Sequence, residues 1–372
     1  MNYTFLGHSG LRVSALCLGT MTFGEDWGWG APREDARAMF DAFAAAGGNF
    51  IDTSSNYTNG TAERFVGEFI AADRDYWVVA TKYTLRRPGS NPADLNAGGN
   101  ARKNMLRTVE QSLGRLATDH IDLLYLHMWD YSTRAEEVLR GLDDLVSAGK
   151  VLYVGISDSP AWVVSRAQAI AELRGWASFV AYQAAYSVVT RGAEADVLPM
   201  TRALGLSVLA FDLLGGGVLT GKFNRPGGPG EPTRESAISP EDAAAVEVIL
   251  RIAAEAGRSP AQVAINWAAR RSANIIPILG ARRPAQLDDN LGALDFIDRK
   301  VPRNVVALTS FCAYSVGNTV GFGPLTAGAI RYRFYTPYGL EPDEVARIVA
   351  FVTAAFAIGL AATAAIGLLV AA

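Results

Sequence analysis

The sequence is poor in cysteine and histidine and has no excess of charge of either sign. Its 372 residues include two cysteines and three histidines, and 34 basic residues nearly balance 37 acidic ones. Two cysteines cannot form a framework of several disulfides, which favours a reducing compartment. A net charge of −3 lacks the strong positive charge that is typical of nucleic-acid-binding domains. The first ten residues lack the basic and apolar regions of a signal peptide, so we expect a cytoplasmic protein.

Eight short apolar runs recur between residues 13 and 279. Their nearly continuous apolar character is typical of strands that are buried on both faces of a parallel sheet. Segments with a helical hydrophobic period lie between them, for example Arg102–Leu116 and Ser259–Arg271, and Ser259-Pro260 is a typical helix start. The predicted strands are Val13–Leu18, Asn49–Asp52, Trp77–Thr81, Ile121–His127, Val151–Ser157, Phe179–Gln183, Ser207–Phe211 and Asn274–Leu279.

Eight strands that alternate with helices have the number and length expected of a closed (β/α)8 barrel, also called a TIM barrel. The alternative is a doubly wound open sheet, which usually has a glycine-rich dinucleotide loop after its first strand. Here the first strand ends in Leu18-Gly19-Thr20-Met21, which is not such a loop. We therefore predict an α/β TIM barrel over residues 1–298, with an N-terminal β-hairpin at Tyr3–Val13 that plugs the barrel floor.

The composition changes after Asp298. The stretches 305–330 and 348–372 contain no charged residue, and a helix of about 20 apolar residues can span a bilayer. We therefore predict that residues 299–372 form a mostly helical, hydrophobic segment with two candidate membrane spans. Such a segment would tether a cytoplasmic barrel to a membrane.

Four polar residues lie at or just after the ends of consecutive predicted strands, namely Asp52, Tyr57, Lys82 and His127. The carboxyl ends of barrel strands share one face, where barrel active sites are built. Reduction of a carbonyl needs a proton donor, and a phenol has an ordinary pKa of about 10, which a nearby ammonium lowers. Lys82 would act on Tyr57, Asp52 would keep Lys82 charged, and His127 would orient the carbonyl. Each residue alone is more often structural, so the prediction depends on the joint pattern.

The residues around this group resemble the aldo-keto reductase family, whose members are nicotinamide-dependent carbonyl reductases built on a (β/α)8 barrel. The segment Asn49–Tyr57, followed by Gly60 and Glu63, is similar to the family signature around its catalytic aspartate and tyrosine. The segments Ala80–Lys82 and Leu124–His127 resemble those that carry the catalytic lysine and histidine. The resemblance covers residues 1 to about 298. It implies the catalytic roles that the chemistry of the four residues also suggests.

The resemblance also implies a nicotinamide cofactor that is bound in an extended form without a Rossmann loop. Two positions depart from the family pattern: Asp158 stands in place of an asparagine and Asp212 in place of a serine. A carboxylate at Asp212 would repel the pyrophosphate unless it points away. Arg282 or Arg283 at the 2′-phosphate would favour NADP(H) over NAD(H). The implied cofactor-binding residues are Gly19, Thr20, Met21, Asp52, Ser157, Asp158, Gln183, Phe211, Asp212, Leu213, Leu214, Gly215, Lys222, Gly280, Arg282, Arg283, Gln286, Asp289 and Asn290.

Residues 304–358 resemble a different family, on motifs such as Val306–Phe311 and Ala329–Tyr335. This is the transmembrane region of the lysylphosphatidylglycerol synthases/flippases. Relatives in that family carry many more spans, so the fragment is too short to form a lipid pathway by itself. It would be a natural fusion, a tether or a gene-boundary artefact.

Two functions remain open at this point. The first is an NADP(H)-dependent oxidoreductase that reduces small aldehydes and ketones, with Trp27, Trp29 and Trp129 either walling the substrate pocket or serving as packing. The second is a membrane-associated regulatory subunit in which the barrel binds NADP(H) as a sensor. An intact set of four catalytic residues favours the enzyme, and we predict no metal site and no nucleic-acid partner.

Overall fold

The computed structural model describes residues 1–224, 239–294, 305–306, 308–313, 323–335, 345–346, 348–349 and 352. The chain divides into two compact units, Met1–Leu294 and Asp295–Ala372. The strands of the first unit are β1 (Tyr3–Phe5), β2 (Arg12–Ser14), β3 (Cys17–Gly19), β4 (Phe50–Asp52), β5 (Val78–Tyr83), β6 (Ile121–Leu126), β7 (Val151–Ser157), β8 (Phe179–Ala185), β9 (Ser207–Phe211) and β10 (Ile275–Leu279). The helices that follow the barrel strands are α1 (Arg33–Ala45), α2 (Thr61–Ile70), α3 (Arg102–Leu116), α4 (Ala135–Ser147), α5 (Ala161–Arg174), α6 (Val197–Ala203), α7 (Pro240–Ala256), α8 (Pro260–Arg270) and α9 (Pro284–Leu291).

Strands β3 to β10 form a closed barrel in which β10 pairs with β3 and every neighbouring pair is parallel. Strands β1 and β2 pair antiparallel, with Tyr3 opposite Ser14. The predicted TIM barrel and N-terminal hairpin are therefore confirmed, and the open sheet is excluded. All residues of β5 and of β6 are buried, which explains why both strands show continuous rather than alternating hydrophobicity.

The hairpin closes the amino-terminal end of the barrel. Its buried residues Leu6 and Val13 belong to the same apolar cluster as residues on the barrel strands. Gly7 lies in its turn with φ +57°, and a Cβ at this position would stand 2.1 Å from the carbonyl oxygen of Val180. Only glycine can make this approach without a shift of the backbone. The barrel residues of the cluster are Cys17, Phe50, Val78, Ala80, Leu123, Tyr125, Val180, Ala181, Leu209, Ile276 and Ile278.

The prediction of one strand over Val13–Leu18 is wrong, because the run contains two. The chain turns between β2 and β3, where the Ser14 hydroxyl donates to the Leu16 carbonyl oxygen. The side-chain oxygen of Asn49 accepts from the Ser14 amide at 2.7 Å, which ties this corner to the start of β4. Hydrophobicity could not reveal the break, since the residues from Val13 to Leu18 are buried on both sides of it, except for the half-buried Ala15.

Helix ends follow the local signals in the sequence. Helix α3 has the predicted bounds. Helix α8 begins at Pro260, and the Ser259 hydroxyl accepts from the Gln262 amide, as a serine N-cap does. The chain leaves α1 through Gly47, which has φ +81°.

The described residues of the second unit are helical at 305–306, 308–313 and 323–335. The helix Gly323–Tyr335 extends past the predicted span 305–330 and carries Arg331 and Arg333. Within the described residues, no helix is both long enough and apolar enough to cross a membrane. The predicted hydrophobic membrane segment therefore has no support here, and the second candidate span, 348–372, lies almost entirely outside the described residues.

Candidate active site

The four predicted catalytic residues meet at the carboxyl-terminal mouth of the barrel. Asp52 is the last residue of β4, Lys82 is the fifth of the six residues of β5, and His127 directly follows β6. Tyr57 lies in the loop between β4 and α2. Because β4, β5 and β6 are adjacent parallel strands, their carboxyl ends open onto one mouth.

Lys82 is the centre of the group. Its side chain is completely buried, and its ammonium donates to Asp52 Oδ2 at 2.7 Å and to the Thr53 carbonyl oxygen at 2.7 Å. The third contact is with the Tyr57 hydroxyl at 3.1 Å. The other oxygen of Asp52, Oδ1, accepts from the side-chain amide of Gln183 at 2.8 Å. A buried ammonium is stable only with such partners, so the site holds Lys82 charged and fixed in place.

The protonation states suit proton donation. Burial lowers the pKa of Lys82, but Asp52 and Tyr57 raise it, and the net pKa lies above its ordinary value. Burial raises the pKa of Tyr57 more than Lys82 lowers it, so the net shift is upward and opposite to the predicted one. The phenol therefore keeps its proton at neutral pH. Lys82 is placed to stabilise the phenolate once that proton has left.

His127 is a neutral imidazole at the same mouth. Burial and the charge of Lys82 lower its pKa to about 3. Its Nδ1 lies 3.3 Å from the Ser54 hydroxyl, and its ring centroid lies 6.2 Å from that of Tyr57. With Nδ1 against Ser54, the other ring nitrogen is the one available to a substrate oxygen.

The loop that carries Tyr57 has an unusual backbone. Thr58, Asn59 and Gly60 have φ values of 43°, 54° and 87°, so three successive residues are left-handed. This conformation is rare for a β-branched threonine and indicates a constraint from the surroundings. The Thr58 hydroxyl supplies part of it, because it donates to the Phe23 carbonyl oxygen and accepts from the Ala62 amide.

Aromatic side chains line the rim beside Tyr57. The Trp27 ring meets the Tyr57 ring edge to face with 6.5 Å between centroids, and Trp29 lies 5.6 Å from Trp27. Trp129 stands in the loop after β6, where its amide donates to the Asp158 carbonyl oxygen. Trp27 and Trp29 thus lie beside Tyr57, and Trp129 follows β6 at the same end of the barrel.

The segment after β9 shows where the Asp212 carboxylate lies. This residue has φ +56°, a conformation that aspartate tolerates better than most residues. Its Oδ1 accepts from the Gly216 amide at 2.8 Å, so the carboxylate faces the backbone of its own loop. A Cβ on Gly217 would lie 2.5 Å from Lys222 Nζ, so the ammonium sits directly against the glycine turn. A lysine at this position can pair with a phosphate group, whereas the amides of Gly215–Gly217 already donate within the loop.

The predicted adenosine residues form a separate group at the start of α9. The Gln286 side-chain oxygen accepts from the Arg282 amide at 2.9 Å, and Asp289 accepts from the side chain of Gln262. Arg282 is half-buried and Arg283 is exposed. The remaining predicted residues lie at the same ends of their strands: Gly19, Thr20 and Met21 at β3, Ser157 and Asp158 at β7, Phe211 to Gly215 at β9, and Gly280 and Asn290 around β10 and α9.

Several contacts of the site, and the residues Thr53 and Ser54, were not predicted from the sequence. The Thr20 amide and hydroxyl both donate to the carbonyl oxygen of Asp52, a contact that holds the end of β4. Ser54 contacts Asn56 Oδ1 at 2.7 Å as well as His127. The signal for Ser54 was its position two residues after Asp52. The backbone contact of Thr53 with Lys82 had no sequence signal, because every residue type offers a carbonyl oxygen.

Comparison with known proteins agrees with this geometry. The Aldo/keto reductase family model matches residues 15–309. Norsolorinic acid reductase stcV of Emericella nidulans is 39% identical over 295 residues, which cover 77% of this chain and 75% of that protein. Aryl-alcohol dehydrogenase GME11368 of Pestalotiopsis microspora is 36% identical over 295 residues, covering 76% and 75%. Aldo-keto reductase ausK of Aspergillus calidoustus is 35% identical over 340 residues, covering 86% and 85%.

The chain belongs to the aldo/keto reductase family and is an oxidoreductase. Proteins of this family generally use NAD(P)H and act on small carbonyl compounds. The expected resemblance of residues 304–358 to the lysylphosphatidylglycerol synthases/flippases finds no support in these comparisons.

Proposed function

We propose that this protein reduces aryl aldehydes or aryl ketones to alcohols, with NADP(H) as the hydride donor and Tyr57 as the proton donor. The observation that carries the proposal is the contact of the Tyr57 hydroxyl with Lys82 Nζ at 3.1 Å, backed by the 2.7 Å contact of Lys82 with Asp52. A protonated phenol beside a buried ammonium is the arrangement that general acid catalysis of carbonyl reduction needs.

The residues act in sequence on the substrate oxygen. His127 is neutral. In the tautomer with its proton on Nε2, it donates a hydrogen bond that orients the carbonyl toward Tyr57, and the Ser54 hydroxyl then donates to Nδ1 instead of Asn56. Tyr57 transfers its proton to the oxygen as negative charge develops there. Lys82 stabilises the resulting phenolate, and Asp52 keeps Lys82 in place. When bound, NADP(H) supplies the hydride to the carbonyl carbon.

The chain offers suitable partners for the two ends of the cofactor. Lys222, which stands against the glycine turn Gly215–Gly217, provides a cationic group for the pyrophosphate. Arg282 and Arg283 stand at the start of α9, where a 2′-phosphate would be bound by charge-assisted contacts. Their presence supports NADP(H) over NAD(H).

Two observations support an aryl substrate. Trp27 and Trp29 form a tilted aromatic pair at the mouth, and Trp27 meets the Tyr57 ring edge to face. Aromatic rings favour such edge-to-face neighbours, and each pair contributes about 1 kcal/mol beyond its buried area. A relative at 36% identity is named an aryl-alcohol dehydrogenase.

A substrate panel tests the proposal. Oxidation of NADPH and of NADH is followed with benzaldehydes, aryl ketones and alkyl aldehydes of matched size. We expect turnover with NADPH and a kcat/KM for aryl substrates that is at least about tenfold higher than for alkyl ones. Trp27→Ala should remove most of that preference, whereas Trp162→Ala, which removes an exposed tryptophan on α5, should leave it unchanged.

Failure would take two recognisable forms. NADPH binding without turnover of any carbonyl would reject the reductase and leave a cofactor sensor. Turnover with equal kcat/KM for aryl and alkyl substrates would retain the reductase and reject the substrate class.

A further inference from the structure

A buried ion pair lies outside the barrel wall, behind Lys82. Glu63, in the first turn of α2, is completely buried. Its Oε2 accepts from Arg115 Nε at 2.6 Å, and its Oε1 accepts from the Thr81 hydroxyl at 2.6 Å. Arg115 belongs to the last turn of α3, and Thr81 immediately precedes Lys82 in β5. One carboxylate therefore ties two helices to the strand of the buried ammonium.

Arg115 also touches the loop that carries Tyr57. A Cβ on Gly60 would lie 2.8 Å from Arg115 Cδ and 3.0 Å from Arg115 Nε. Gly60 has φ +87° and is the residue from which the loop enters α2. The same guanidinium thus contacts the end of the Tyr57 loop and the carboxylate that is tied to the Lys82 strand.

Helices α2 and α3 do not need the Glu63–Arg115 ion pair to hold them together. Helices α2 and α3 are already in backbone contact, because a Cβ on Gly67 would lie 2.4 Å from the Leu116 carbonyl oxygen. A buried ion pair is often no more stabilising than apolar side chains of the same volume. What an ion pair adds is directionality, since each of its hydrogen bonds fixes one geometry.

We propose that Glu63 and Arg115 are positioning residues that set the separation of the Tyr57 hydroxyl and Lys82 Nζ. Arg115 fixes the loop from outside through Gly60, and Glu63 fixes the strand through Thr81. The residues touch neither substrate nor cofactor and act through the two that do. This role rests on the proposed reductase function, in which Lys82 stabilises the Tyr57 phenolate.

The first test replaces Glu63 by Gln. Glu63→Gln keeps the shape and an acceptor for Thr81, but it removes the charge opposite Arg115. We expect kcat to fall by about tenfold or more with little change in KM, because misplaced catalytic groups slow chemistry without weakening binding. Asp122→Asn is the matched control, since it removes the charge of another arginine-paired carboxylate near the start of β6. The control should lower the melting temperature and leave kcat unchanged.

A double-mutant cycle separates positioning from general damage. In a Tyr57→Phe background, Glu63→Gln should cause no further loss of the residual rate, because the group through which it acts is absent. Equal fold losses in both backgrounds would overturn the proposal, as would equal kcat values for Glu63→Gln and the wild type. If Glu63→Gln does not fold, Thr81→Val removes only the hydroxyl tie and takes its place in the cycle.

A readout without turnover keeps this inference distinct from the proposed function. The Tyr57 phenol is titrated by 13C NMR, with Tyr57→Phe to assign its resonance. Because Lys82 lowers the pKa of Tyr57, a looser contact in Glu63→Gln should raise the phenol pKa further. A phenol pKa that is unchanged by Glu63→Gln would contradict the positioning role. A raised pKa in a protein that turns over no carbonyl would reject the reductase alone.

Discussion

The barrel holds an ion pair of similar chemistry near each of its two ends, and the two pairs differ in what surrounds them. At the floor, Arg74 bonds Asp122 at 2.7 Å and also donates to the Trp77 and His120 carbonyl oxygens. Asp122 accepts in turn from the Val79 amide. Most partners at the floor are backbone groups of the framework, although His120 Nε2 also lies 3.8 Å from Asp122 Oδ1.

At the mouth, Lys82 bonds Asp52 at the same 2.7 Å, but its third contact is the Tyr57 hydroxyl. That hydroxyl belongs to a half-buried residue in a strained loop, with aromatic rings beside it. The difference shows that burial and charge pairing alone do not define a catalytic site. What distinguishes the mouth is that the neighbour of its buried ammonium is a phenol hydroxyl beside an aromatic rim.

The largest expected effect comes from removing that neighbour. Tyr57→Phe deletes one hydroxyl and should lower the rate of carbonyl reduction by about 10³-fold, within the range of general acid catalysis. Binding of NADPH, measured by fluorescence titration, should change little. Asp122→Asn at the floor should instead lower the free energy of unfolding by about 1–3 kcal/mol and spare turnover. A Tyr57→Phe enzyme with more than about a tenth of wild-type activity would exclude Tyr57 as the acid.

The second effect concerns the arginines on the same side of the barrel. Replacing Arg282 and Arg283 by Ala should weaken NADPH binding by about 100-fold, because two charge-assisted contacts are lost. Binding of NADH should change by less than about threefold, since it has no 2′-phosphate. Arg33→Ala with Arg37→Ala removes the same charge from α1 and serves as the control. Equal affinity of the unaltered protein for NADPH and NADH would refute the cofactor preference.

The sequence predicted the residues at the mouth better than the contacts that support them. Asp52, Tyr57, Lys82 and His127 were predicted from their joint positions at or after consecutive strand ends and from the matching family segments. The direction of the Tyr57 pKa shift could not be predicted, because the extent of burial depends on side chains brought in by other loops. The role of the Glu63 side chain could not be read either, because its partners, Thr81 and Arg115, are distant along the chain.

The break between β2 and β3 and the structure of the second unit were hidden for a different reason. Composition reports how apolar a segment is and not where its backbone turns. The run from Val13 to Leu18 is almost uniformly buried across the turn, so no periodicity marks the break. In the second unit, the same apolar character predicted spans, whereas the helix Gly323–Tyr335 has 13 residues and two arginines.

A smaller effect is expected in the pH dependence of stability. The pKa of His127 is lowered to about 3 in the folded protein, whereas an unfolded histidine has a pKa of about 6.5. Between these values the unfolded state binds more protons, so the stability that His127 contributes is full above pH 6.5 and is lost as the pH falls toward 3. Between pH 7.5 and 4.5, the free energy of unfolding of His127→Gln should therefore fall by about 1–2 kcal/mol less than that of the wild type.

Urea unfolding at the two pH values measures this difference. His8→Gln, a substitution on the hairpin at the floor, is the control for loss of a histidine as such. An identical loss of stability in wild type and His127→Gln would mean that the pKa of His127 is the same in the folded and unfolded states. His127 would then become a cation beside Lys82 as the pH falls below about 6.5.

The smallest effect is expected from removing the second unit. If the mouth alone carries the chemistry, a chain that ends at residue 298 should fold and keep the kcat of the full chain within about twofold. The barrel is closed without the second unit, because β10 pairs with β3. The last helix of the first unit, α9, ends at Leu291, before the division at Leu294.

The family match continues to residue 309, so a second chain that ends there is the matched control. Loss of activity in the 298 form with retention in the 309 form would place residues 299–309 in the catalytic domain. Loss in both forms would show that the second unit completes the fold of the first, and the domain boundary predicted at residue 298 would then be wrong.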